Sequence, residues 1–115
     1  MRTLNDYFLT VQLTDVSAPS SVNVAVPDDG NIIKIISVLG GAITTANSAV
    51  TSAINGTTVT GGGFTVAFSG SAAGDIDTAT PTALNSVKEG DYITITSDGA
   101  SSTTQPITVT LVIRR

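Results

Sequence analysis

The sequence predicts an all-β domain, a sandwich or barrel of about seven or eight short, mainly antiparallel strands. Three observations predict it. Of 115 residues, 42 are Val, Ile or Thr, whose β-branched side chains suit a pleated surface better than a helix. Charged residues make up 12% of the chain, with a single Glu, against about 25% in ordinary domains. Long solvent-facing helices therefore lack the residues that would cover them. Apolar side chains also recur at every second position in one segment after another, with turn residues between.

In chain order, Leu9, Val11 and Leu13 share one face of a strand, with Thr10, Gln12 and Thr14 opposite. Val22, Val24 and Val26 point one way. Residues 31–39 are apolar on both faces, the pattern of a central strand or of one whose outer face meets another subunit. Phe64, Val66 and Phe68 alternate with Thr65 and Ala67. Ile93 and Ile95 oppose Tyr92, Thr94 and Thr96, and Ile107, Val109, Leu111 and Ile113 oppose Thr108, Thr110 and Val112.

Turn residues separate these runs. Asp28-Asp29-Gly30 and Asn55-Gly56 are the strongest hairpin signals, because they tolerate positive φ and supply side chains that cap a tight turn. Gly40-Gly41, Gly61-Gly62-Gly63, Glu89-Gly90-Asp91 and Asp98-Gly99 mark further turns. Between Ala42 and Ile54 the apolar residues also fit helical spacing. The Ser and Thr residues among them favour a loop followed by a strand from about Ala49. Residues 69–86 form the longest expected loop, rich in small residues, and a loop of that length is expected to be functional or a partner contact. Residues 1–6 read as a polar N-terminal arm on a single domain spanning 1–115.

Composition narrows the chemistry. The chain has no Cys, His or Trp, so it supplies no thiolate nucleophile, Cys/His zinc site or His-based triad. The net charge of −4, with five basic residues, argues against phosphate-backbone binding. The apolar stretch 32–38 contains Lys34 and Ser37 and is far shorter than the ~20 residues of a membrane span. Residues 1–6 lack the apolar segment of a secretory signal. No membrane, nucleic-acid or cofactor partner is expected. A mean hydropathy of +0.33 fits either a thin aliphatic sandwich or a surface buried between subunits.

Few residues stand out as candidate sites. Asp75 and Asp77 form an Asp-x-Asp pair in the long loop, and Asp28-Asp29 form another. Neither has the spaced acids of a cation-binding loop, so turn shaping is the expected role. The same acids lack the aromatic lining of a sugar cleft, and no enzymatic activity is expected. Gly61–Gly63 lack the Lys-Ser/Thr pair of a phosphate loop. Arg2, Arg114 and Arg115 form either solubilising end charges or a basic contact for a partner. Tyr7 and Phe8 follow the polar arm. If Leu9, Val11 and Leu13 face the core, Phe8 faces out and becomes an anchor candidate.

Turn and loop residues together carry one likeness. Val24 to Ile35 reads Val-Ala-Val-Pro-Asp-Asp-Gly-Asn-Ile-Ile-Lys-Ile, followed by Ala42-Ile43 and by Ile-Asn-Gly-Thr-Thr-Val-Thr-Gly-Gly from Ile54 to Gly62. Ser69-Gly-Ser-Ala-Ala-Gly-Asp, Thr80-Pro-Thr-Ala and Glu89-Gly-Asp follow in order. Together they resemble small head decoration, or cement, proteins of tailed bacteriophages. The resemblance implies an all-β homo-oligomer, commonly a trimer, that is made in the host cytoplasm and sits on the outer surface of the virion. There it would bind the major capsid protein and stabilise the shell. The competing expectation is a carbohydrate-binding β-sandwich module of a phage fibre or cell-surface protein.

Overall fold

The computed structural model describes residues 6–99 and 101–115. These form two antiparallel five-stranded sheets packed face to face, with no helix among the described residues. The strands are β1 (Asp6–Leu13), β2 (Pro19–Ala25), β3 (Gly30–Leu39), β4 (Ser48–Ile54) and β5 (Thr57–Thr58). They continue with β6 (Phe64–Val66), β7 (Ile76–Ala79), β8 (Ser86–Val87), β9 (Tyr92–Asp98) and β10 (Ile107–Arg114). The expected all-β sandwich is therefore present, with ten strands because three have only two or three residues.

The first sheet runs β1-β10-β3-β7, with β8 also on β3, and the second runs β2-β9-β4-β5, with β6 also on β4. Alternation sets the register. Leu9 lies beside Leu111, which lies beside Ile35 and then Ala79, so one row of apolar side chains crosses the whole first sheet. Val24, Ile93 and Ile54 form the matching row of the second. Between the layers pack Leu13, Ile32, Ile35, Leu39, Val50, Ile95, Ile107, Val109 and Ile113, closed at the ends by Val16, Val26, Ile43 and Val59. Each fully buried Leu, Ile or Val contributes about 1.5–3 kcal/mol relative to exposure.

The run 31–39 is an interior strand, as its two apolar faces predict. A register shift between Val112 and Ile113 leaves Ile33 without an opposite residue. This bulge lets Ile32 and Ile35, three apart, both face the core. β4 starts at Ser48 and no helical turn precedes it. Asn55 and Gly56 adopt φ of 49° and 87° between β4 and β5, the left-handed pair a two-residue hairpin turn requires.

Four expectations are corrected. Asp28-Asp29-Gly30 is not a hairpin turn, because β2 and β3 belong to different sheets. Its reversal is spent on crossing the sandwich. Asp28 accepts the Asp29 N–H at 2.8 Å, and Asp29 accepts the Glu89 N–H at 2.9 Å. Residues 69–86 are not one loop, since they contain β7 and β3 captures that segment. The Gly74 N–H donates to Leu39 O and the Leu39 N–H to Asp75 O, both at 2.8 Å. Phe68 does not extend β6. It is exposed beyond the strand end, where its N–H donates to Asn47 Oδ1 at 3.1 Å. The polar arm falls mostly on residues 1–5, outside the described residues, and Asp6 already belongs to β1.

Candidate interaction surface and cleft

The two outer faces of the sandwich differ. Opposite the core, the second sheet presents Ser21, Asn23, Thr51, Thr58, Thr65, Thr94 and Thr96, with Tyr92 at one end. The first sheet presents Phe8, Val112 and Lys34 in one row, Thr10, Thr110, Ile36 and Thr78 in the next, then Gln12, Thr108, Val38 and Ile76. Phe8 and Ile76, at opposite corners, are 55% and 65% exposed. Val112 stands between Phe8 and Lys34 and is 2% exposed although it faces away from the core. The outward reading of Phe8 holds. Sequence parity also placed Val112 outward, but nothing in it joined Ile36, Val38 and Ile76 to Phe8. That requires the order of the strands.

The remaining candidates fall in two separate places. At one end of the first sheet, the Tyr7 hydroxyl donates to Asp28 O at 2.5 Å, and the Arg115 guanidinium lies 5.0 Å from the Tyr7 ring centre. Arg115 Nε donates to Asp28 Oδ2 at 2.6 Å. Burial, then the Asp28 charge, pushes the Tyr7 phenol up. The Asp29 N–H, then Arg115, holds the Asp28 carboxyl below its ordinary range. Arg114 grips Asp6 through Nε at 2.9 Å and Nη2 at 3.2 Å, which raises its already high pKa. Arg114 thus pairs with Asp6 through two donors and Arg115 with Asp28 through one. Arg2 lies outside the described residues.

Asp75 and Asp77 flank Ile76 on the opposite edge, on β7 and the turn before it. Asp75 accepts the Ala72 N–H at 2.9 Å and closes its own turn. Asp77 is partly desolvated, and this, with the Asp75 charge, raises its pKa. Among the described residues, no three His, Cys, Asp or Glu side chains come close enough to hold a metal ion.

Sequence reasoning missed a cleft of about 460 Å³ where the ends of the two sheets meet, lined by Ile54, Asn55, Thr57, Leu84, Ser86 and Asp91. Asn55 Nδ2 donates to Asp91 Oδ1 at 2.9 Å, and Asn55 Oδ1 accepts the Tyr92 N–H at 3.0 Å. The Asn55 amide, then the Lys88 N–H, lowers the Asp91 pKa. Leu84 has φ of 54° and is 62% exposed. Neighbouring residues hold it there from both sides. Thr60 N–H donates to Ala83 O at 3.0 Å and Thr82 N–H to Thr60 O at 2.9 Å. Beyond Leu84, Asn85 Nδ2 donates to Ile32 O at 2.7 Å and the Ile32 N–H to Asn85 O at 2.9 Å. No residue pattern announces this arrangement.

This geometry defines a two-layer antiparallel β-sandwich domain. The chain matches no protein-family model and no curated protein. It does share its fold with solved structures. One is the Agl-KA catalytic domain, at 13% identity and a TM-score of 0.53, covering 92% of this chain and 21% of that one. Another is dimeric latent PorU from Porphyromonas gingivalis, at 13% identity and a TM-score of 0.51, covering 96% of this chain and 13% of that one. A looser likeness is to the C-terminal CBM6 of LamC from Zobellia galactanivorans, at 15% identity and a TM-score of 0.47, covering 92% of this chain and 100% of that one.

The chain thus spans 21% and 13% of the first two structures, and the likeness is one of fold. It nevertheless corrects the expectation that enzymes are excluded. A domain of this architecture forms part of a chain described as a catalytic domain. The lack of His, Cys and Trp in 115 residues therefore does not exclude a place in an enzyme.

Proposed function

We propose that the chain is a head decoration protein of a tailed bacteriophage, which binds the major capsid protein on the outside of the shell as a homotrimer. The observation that carries this reading is the contrast between the two outer faces. A Thr- and Ser-lined sheet needs no partner, whereas Phe8, Ile36, Val38 and Ile76 on the other sheet expose apolar area that docking would remove from water. Four strands at ~4.8 Å spacing and about eight residues at ~3.3 Å give a face of roughly 500 Å² in projection. That approaches the ~800 Å² of accessible surface each partner contributes to a specific interface. Three copies around one axis then add modest contacts through effective concentration. The resemblance in the turn and loop residues supplies the partner.

The test is co-sedimentation with purified phage heads that lack the protein, beside light scattering of the free protein. Saturable binding and a mass three times 11.6 kDa are expected. The double variant Phe8→Thr/Ile76→Thr, which keeps β-forming residues on the outer face, should weaken attachment at least about tenfold. A well-folded protein that never saturates the heads refutes the reading.

A further inference from the structure

The cleft beside Leu84 is remote from the Phe8–Ile76 face in its chemistry and depends on different residues. Two of the three non-glycine residues with positive φ among the described residues, Asn55 and Leu84, lie in its wall. For Asn55 the left-handed conformation is ordinary in a hairpin turn. For Leu84 it costs about 1–2 kcal/mol, since Cβ crowds the backbone. The surrounding hydrogen bonds to Thr60 and Ile32 impose that conformation. The result is an apolar side chain held outward over a polar floor instead of buried. Backbone strain concentrated at a concave site is a feature of ligand clamps.

The lining decides the ligand class. Asp91 is the only charged group among the cleft residues, and the chain carries −4 overall, so an anion is repelled. A single carboxylate falls short of the six to eight oxygens a hard cation takes. Asn55, Thr57, Ser86 and Asp91 offer amide, hydroxyl and carboxylate groups in one surface. Asn55 Nδ2 has a second proton beyond the one given to Asp91, and both Asp91 oxygens keep lone pairs. Ser86 Oγ donates to Asn31 Oδ1 at 2.7 Å and can still accept. Leu84 and Ile54 add apolar surface beside these groups. Alternating donors and acceptors next to an apolar ledge match a sugar ring, with hydroxyls at its rim and C–H bonds on its face. The volume lies within the range of small-molecule sites, about 300–1,000 Å³. We infer that this cleft is a saccharide subsite: it takes a neutral hexose unit, with Asn55 and Asp91 on adjacent hydroxyls and Leu84 against the ring.

The test is an amide-resolved NMR titration of the intact chain with maltose, cellobiose, laminaribiose and mannobiose, and with glucuronate as the anionic control. One neutral disaccharide should give saturable shifts at Asn55, Thr57, Leu84, Ser86 and Asp91, with glucuronate weaker. Leu84→Gly removes the apolar ledge yet suits φ of 54°, so it should raise Kd at least about tenfold without lowering the melting temperature. Phe8→Thr/Ile76→Thr should leave saccharide binding unchanged, which keeps this inference separable from capsid attachment. The inference is overturned if no disaccharide saturates the folded protein, if the shifts map elsewhere, or if Leu84→Gly binds with unaltered Kd.

Discussion

Replacing Ser97 by Ala should destabilise the protein by about 2 kcal/mol without opening a cavity. Ser97 sits on β9, 1% exposed, facing the core. Its Oγ donates to Val16 O at 2.7 Å and accepts the Gly99 N–H at 3.2 Å. Val16 lies in the connection between the two sheets and is fully buried. Alanine keeps the packing volume but leaves that carbonyl without its hydroxyl donor and the Gly99 N–H without an acceptor. An orphaned buried group costs about 1–3 kcal/mol, and the longer Gly99 bond adds little. For a chain of this length, 1 kcal/mol moves Tm by roughly 4 °C, so the variant should melt about 8 °C lower. Thermal and urea unfolding followed by circular dichroism measure both quantities, and the urea m-value should not change. Ser21→Ala, on the exposed face of the same sheet, is the control and should stay within about 0.5 kcal/mol. If Ser97→Ala also stayed within about 0.5 kcal/mol, the interior hydroxyl would not be what ties the connection down.

Further predictions concern backbone, charge and surface. Gly99→Ala should cost about 3 kcal/mol by urea unfolding, since a Cβ there would lie 2.0 Å from Pro19 N at φ of 69°. Gly56→Ala, at φ of 87° with open space around it, should cost only about 1 kcal/mol. The raised pKa of Asp77 means that its ionised form is disfavoured by folding, so its cost is present at neutral pH and disappears in acid. Asp77→Asn should therefore raise Tm at pH 7, with the gain gone near pH 3; an equal gain at both would assign the effect to packing. Asp28, with a lowered pKa, works in the opposite sense, and its contribution is lost as pH falls below the ordinary carboxylate range. Phe8→Thr/Ile76→Thr should leave Tm nearly unchanged and raise solubility, because neither side chain belongs to the core.

Strand interiors were legible in the sequence because burial on one face writes itself as alternation. Leu9-Val11-Leu13 and Ile107-Val109-Leu111-Ile113 show it, and the outward position of Phe8 followed from the same parity. Which strand joins which sheet was not legible. Asp28-Asp29-Gly30 reverses the chain whether the next strand pairs with the last one or crosses the core, and only the capture of β3 by β10 decides. β7 escaped notice because Ile76-Asp77-Thr78-Ala79 buries one small residue and carries its large one outward. The apolar outer face and the cleft share that cause. Each gathers residues distant in sequence, Phe8 with Ile76 or Asn55 with Leu84, and no local period connects them. Leu84 itself gives no signal, since its conformation comes from bonds made by its neighbours.

The place of β10 sets the order in which the molecule can assemble. Residues 107–114 lie between β1 and β3 in the first sheet, so the last of the ten described strands in chain order supplies the seam joining the two earliest parts of that sheet. Until it arrives, β1 and β3 each have an unfilled edge, and Leu9, Ile35 and Leu39 face a gap. The second sheet has β2, β4 and β9 in place before that point. A nascent chain would thus carry one finished layer and one open one, with most of its pairing between distant residues. Such topologies fold slowly and expose sticky edges while they wait. Chains cut short before Ile107 should associate with each other through the unfilled slot, and a peptide spanning residues 107–114 should compete for it.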